Sequence, residues 1–135
     1  MSTMLAERPN EYTSTNGPIL AVVGSRKFIV PNAIMHAERI IKYYYSRLVP
    51  SLVISGGAEG VDCLAISLAA ILNIPYQEYL PDTSDWEGYS KRNLAIAREC
   101  DKMLCIRCHA AESYGSGWTA DRASSFDKDV IRLYI

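Results

Sequence analysis

The chain has 135 residues, 49% of them hydrophobic and 21% charged, a composition that supports one domain with a real core and sets aside fibrous and disordered classes. Its formal net charge of −1 offers no general attraction for DNA, RNA or acidic membranes, so any phosphate binding must come from local geometry. No run approaches the roughly 18 apolar residues of a membrane span, and the polar start lacks the apolar centre of a signal peptide. A cytoplasmic protein with reduced thiols is therefore expected.

Residues 1–18 are polar and aperiodic and read as a flexible tail, leaving 19–135 as the folded domain. Ile19 to Gly24 is the first strand. Asn32 is placed to cap a helix that runs to about Leu48, with Ile34, Ala37, Ile41, Tyr44 and Leu48 on its inner face. Leu52 to Ser55 is the second strand, and a helix follows over about Glu59 to Asn73. Pro75 to Leu80 is the third strand, trailed by a loop through Trp86 to Gly88. Ser90 is placed to cap a helix ending near Cys100. Lys102 to Arg107 is the fourth strand, about Gly117 to Asp127 the last helix, and Val130 to Ile135 the fifth strand.

Short apolar strands alternating with helices require crossover connections, hence a parallel sheet covered on both faces. The expected fold is a Rossmann-like, doubly wound α/β domain of about five parallel strands. In such sheets ligands bind beyond the carboxyl ends of the strands. Two glycine turns fall at those ends, Gly24-Ser25-Arg26 and Ser55-Gly56-Gly57-Ala58-Glu59-Gly60-Val61-Asp62. A strand, a turn with three glycines and then a helix allows the backbone to approach a phosphate and aims free N–H groups at it. Asp62 in the first helical turn suits the dipole, or could touch a ribose hydroxyl, a metal or a reacting centre. Arg26 would enter the crevice, whereas Lys27 is expected in solvent. Arg92, near the start of the third helix, opposes the dipole, and a bound anion would explain it.

The order Gly24-Ser25-Arg26, Ser55-Gly56-Gly57-Ala58-x-Gly60-x-Asp62, Arg92-Asn93 and a late Gly115-x-Gly117 resembles the SLOG superfamily of Rossmann-like proteins, in its YspA-like branch. The resemblance spans about Ile19 to Ile135. It implies a site for a nucleotide, a nucleotide sugar or an ADP-ribose-like derivative, in a sensor, a sequestering protein or a weak enzyme, with no further cofactor. On this analogy Gly56, Gly57 and Gly60 hold phosphate. Ser25 and Arg26 close one side, and Gly115, Gly117 and Thr119 form the third wall. The superfamily includes LOG-type phosphoribohydrolases, which implies N-glycosidic hydrolysis as an alternative, with Asp62 or Asp121 as the carboxylate. It also includes the DNA-processing protein A branch, which implies single-stranded DNA as a further alternative; the acidic balance gives no basic track for it. LOG-type enzymes carry Pro-Gly-Gly-x-Gly-Thr-x-x-Glu after the fourth strand. Here there is no Pro-Gly-Gly, and Arg122 stands three residues after Thr119 in place of the Glu. Binding is thereby favoured over hydrolysis.

Other features have plainer readings. Cys105-Ile106-Arg107-Cys108-His109 spells the c-type haem pattern, yet Cys105 lies in a core strand; buried thiols explain Cys63, Cys100 and Cys105 best. Zinc on Cys100, Cys105, Cys108 and His109 would need a helix end, a strand and a loop to converge. Tyr43, Tyr44 and Tyr45 point in different directions on a helix and serve packing. Trp86 and Tyr89 are the better candidates for stacking on a base. The second helix sets Cys63, Ile66, Ser67 and Ala70 opposite its core face of Val61, Leu64, Ala65, Leu68 and Leu72. That small, uncharged outer strip predicts a homo-oligomer contact.

Overall fold

Apolar residues in the strands alternate between two cores, and this alternation organises the molecule. The structure is a computed structural model that describes residues 16–28, 32–108 and 114–135. Most of the expected tail, residues 1–15, lies outside them, as does His109. Among the described residues the elements are β1 (Ile19–Gly24), α1 (Ala33–Leu48), β2 (Leu52–Ser55), α2 (Val61–Ile71), β3 (Tyr76–Glu78), α3 (Trp86–Glu99), β4 (Lys102–Arg107), α4 (Tyr114–Ser125) and β5 (Asp129–Tyr134). The strands form one sheet in the order β3-β2-β1-β4-β5, and every pairing is parallel.

Leu20, Val22, Val53, Leu104 and Ile106 face α1 and α2, while Ala21, Val23, Ile54, Met103 and Cys105 face α3 and α4. Period-two alternation thus sends successive side chains into opposite cores. Burying each of the larger ones contributes roughly 1.5–3 kcal/mol. The order of the strands reverses between β1 and β4, which creates the crevice where such sheets bind ligands. No described helix is long and apolar enough to cross a membrane.

The inner face of α1 is rotated from the expected one. Ala33, Ala37, Ile41 and Tyr45 are buried, Ile34 is exposed, and Tyr44 and Leu48 are half-buried. The four-residue spacing places Tyr45 at the core, where its hydroxyl donates to the Ala65 carbonyl at 2.7 Å and ties α1 to α2. Burial there raises the phenol's pKa. Asn32 precedes α1 but makes no side-chain capping bond. On α2, Ala69 is buried in place of Leu72, which is exposed just past the helix. Cys63, Ser67 and Ala70 stand exposed and Ile66 is half-buried, so Cys63 is not the buried thiol expected of it. Cys100, Cys105 and Cys108 are buried, and burial pushes the Cys100 and Cys105 thiols up to about 11.

Helix α3 begins four residues before the expected Ser90. Asp85 caps it, its carboxylate accepting from the Gly88 N–H at 2.9 Å and from the Thr83 hydroxyl at 2.5 Å. These bonds, the Thr83 hydroxyl first, hold the Asp85 carboxyl below its ordinary range. Gly88, a weak helix former, disguises the first turn; it is required because a Cβ there would lie 2.3 Å from the Thr83 carbonyl oxygen.

Candidate functional site

The earlier start of α3 has a functional consequence. Trp86, Tyr89 and Asn93 recur at three- and four-residue spacing, so one helical face, with Arg92 beside it, looks into the crevice. They line a cleft of about 250 Å³ together with Gly24 and Arg26 after β1, Ala58 and Asp62 at α2, and Gly115, Ser116 and Thr119 of α4. The Arg26 guanidinium lies 5.3 Å from the centre of the Tyr89 ring and that of Arg92 lies 5.8 Å from it. Trp86 meets Trp118 edge to face at 5.3 Å, linking α3 to α4 at the mouth.

Asp62 forms the floor. It is 7% exposed. Burial pushes its pKa up to about 7; the Arg92 charge and the nearby backbone N–H groups of Ala58, Gly56 and Gly24 pull the other way and only partly compensate. Arg92 donates to the Gly56 carbonyl at 2.6 Å and the Tyr79 carbonyl at 3.0 Å, and its Nε to Asn93 Oδ1 at 2.7 Å. Burial lowers the Arg92 pKa, opposed by the facing Asp62 charge. Arg92 therefore sits in the second turn of α3 for an internal reason: its charge acts on the buried Asp62 carboxylate and it closes two backbone acceptors.

The glycine turns allow close packing at the floor of the cleft. A Cβ on Gly24 would lie 2.1 Å from the Ile106 carbonyl oxygen, and one on Gly56 would lie 2.8 Å from both Asp62 and Arg92. Gly56 is bare so that this acid–base pair can lie over it. Gly60, at φ 82°, packs its α-carbon against the Ser25 carbonyl, and Gly57, at φ 73°, faces Glu78. Three amides in the first turn of α2 are used within the chain: Val61 donates to Ser25, Cys63 to Ala58 and Leu64 to Gly60, each at 3.0 Å.

Of the residues expected at the site, Gly24, Arg26, Asp62, Arg92, Asn93, Gly115 and Thr119 meet at the cleft. Ser25 and Ser55 are fully buried beneath it; the Ser55 hydroxyl donates to the Val22 carbonyl at 2.5 Å, and that of Ser25 accepts from the Cys108 N–H at 2.8 Å. Gly117 faces Arg107 on another side of α4. Asp121 is not brought to the cleft. Two residues beyond Thr119 it is turned away, exposed, and paired with Arg132 at 2.9 Å. Ser116 was the residue missed, one of the small polar side chains that carry no signal outside a known helix.

A five-stranded parallel sheet with this crevice defines a Rossmann-like α/β protein. No family model and no curated protein matches the chain. Among solved structures it is similar to DNA processing protein A from Streptococcus pneumoniae, with a TM-score of 0.69 and 20% identity, over 86% of this chain and 50% of that one. The likeness is one of fold, and the chain spans about half the neighbour's length.

Proposed function

We propose that this chain is a cytoplasmic SLOG-type protein of the YspA-like branch that binds a nucleotide or nucleotide-derived ligand. The observation that carries the reading is the cleft wall: two guanidiniums, Arg26 and Arg92, stack on Tyr89 beside Trp86. Cations and π-faces together suit a ligand that is both anionic and aromatic. The volume of about 250 Å³ lies just below the usual range of ligand pockets, about 300–1,000 Å³, and favours a mononucleotide over a dinucleotide. The glycine turns shape the floor of this site, and the anion is read by the arginine side. In a thermal-shift screen, AMP, GMP, CMP, UMP and ADP-ribose should include at least one compound that raises Tm. Ligand at a hundredfold excess over Kd adds about 2.7 kcal/mol. No response to any of them would end the proposal.

Hydrolysis of an N-glycosidic bond is a second reading, supported by Asp62 rather than Asp121. A buried carboxyl lining the cleft with a pKa of about 7 is suited to general acid–base work. Base release from nucleoside monophosphates, lost in Asp62→Asn, would establish it. Binding remains the favoured reading because the position of the LOG-type glutamate is occupied by Arg122. The structural neighbour is a DNA-processing protein, but a net charge of −1 supports no strand-tracking groove here. A second copy of the chain is the proposed occupant of the exposed α2 strip, where Cys63, Ser67 and Ala70 adjoin an Ile71 that is 73% exposed. Sedimentation should show a dimer that Ala70→Glu dissociates.

A further inference from the structure

The polar groups at the inner end of the cleft do not match a phosphate. A carboxylate offers about four acceptor sites. The Asp62 carboxylate lies by the N–H groups of Gly24, Gly56 and Ala58 and also lines the cleft, so it offers acceptor capacity there. Next to it, Asn93 accepts the Arg92 Nε–H on Oδ1, so its Nδ2 is turned toward Gly115, another cleft residue. The Thr119 hydroxyl donates to the Gly115 carbonyl at 2.7 Å, leaving its oxygen as an acceptor. An acceptor, an N–H donor and a further acceptor side by side complement groups that both donate and accept. A phosphate dianion only accepts, and Asp62 repels it once its carboxyl has ionised.

We infer that the inner end recognises a pair of sugar hydroxyls, so that a nucleotide binds with its ribose at Asp62 and Asn93 and its phosphate outward at Arg26. This polarity rests on the nucleotide reading and adds to it the feature that selects the ligand: ribonucleotides over their deoxy forms. A site built to bond a hydroxyl discriminates strongly against an analogue that lacks it, because its buried groups are left unpaired.

Isothermal titration of the full chain with AMP, 2′,3′-dideoxy-AMP, adenosine and inorganic phosphate tests the inference. Dideoxy-AMP should bind at least tenfold more weakly than AMP, and inorganic phosphate should not compete with adenosine. In Arg26→Ala, AMP should lose its advantage over adenosine while the preference for hydroxyls persists. In Asp62→Ala, or in Asn93→Ala should the first fail to fold, that preference should shrink below threefold. AMP and dideoxy-AMP binding within twofold of one another would overturn the inference and leave the nucleotide reading standing. Absence of binding by any nucleotide would overturn both.

Discussion

The two sides of the cleft are made of different material. The sheet side, from Gly24 to Asp62, is backbone folded tightly on itself around one buried carboxylate, with Val61, Cys63 and Leu64 donating to its own carbonyls. The helix side, from Trp86 to Thr119, presents rings, amides and hydroxyls from two helices that meet through Trp86 and Trp118. The glycine turns of the sheet side therefore govern whether the site exists, and the helix side, with the Arg26 and Asp62 side chains that reach the cleft, governs what enters it. Substitutions should separate accordingly, stability responding in the turns and affinity at the side chains that line the cleft.

Gly60→Ala should show the largest effect. At φ 82° its Cβ would lie 2.3 Å from the Ser25 carbonyl oxygen, so both strain and collision oppose it. Urea unfolding should reveal a loss of about 3 kcal/mol or more. A loss below about 1 kcal/mol would mean that the sheet side can relax, against the contrast drawn above.

Asp62→Asn should come next, and its effect depends on pH. The folded carboxyl titrates at about 7 against an ordinary value of 3.8, so the native chain keeps a proton that the unfolded chain has released. Native stability then falls as pH rises between those values and levels off above the upper one. At about 1.4 kcal/mol per pKa unit, the whole effect is on the order of 4 kcal/mol. The Tm of Asp62→Asn relative to the parent protein should therefore rise from pH 5 to pH 8. A constant difference would show that Asp62 ionises as freely as it does in the unfolded chain.

On the helix side, Trp86→Ala should weaken nucleotide binding by about 1–3 kcal/mol through lost stacking. Its stability cost should be smaller than that of Gly60→Ala, since Trp86 is 45% exposed. Affinity unchanged in titration calorimetry would make the ring a clamp on Trp118 and nothing more. The smallest effect belongs to Asp121→Asn, which removes an exposed ion pair worth at most about 1 kcal/mol and should leave binding unaltered.

The parallel sheet and the strand positions were legible because short apolar runs alternating with helical stretches admit few arrangements, whereas the strand order came only from the structure. Helix limits were less so. At α3 the capping signal of Asp85 competed with Gly88 three residues later, and only tertiary contact with Thr83 resolves that conflict. Reading those residues as loop hid the stripe of Trp86, Tyr89 and Asn93, although the rings themselves were singled out. On α1 the choice between Tyr44 and Tyr45 for the core turned on a hydroxyl partner, Ala65, from another helix. The glycine motif was legible as a strand-to-helix turn, but its contacts with Asp62, Arg92 and Glu78 were not. No pattern in Gly56-Gly57-Ala58-Glu59-Gly60 tells whether its amides face a ligand or a carboxylate that lies two residues further on.

Ser25 carries a consequence for how the site moves. Its N–H donates to Ile106 at 3.1 Å, its carbonyl accepts from Val61 at 3.0 Å, and its hydroxyl accepts from Cys108 at 2.8 Å. One fully buried residue thus rivets the ends of β1 and β4 to the start of α2. A floor joined in this way is already ordered before a ligand arrives, so it adds little to the entropy lost on binding. Adaptation to different bases falls to α3 and α4, and slow amide exchange at Val61 and Cys108 would be the solution signature of that division of labour.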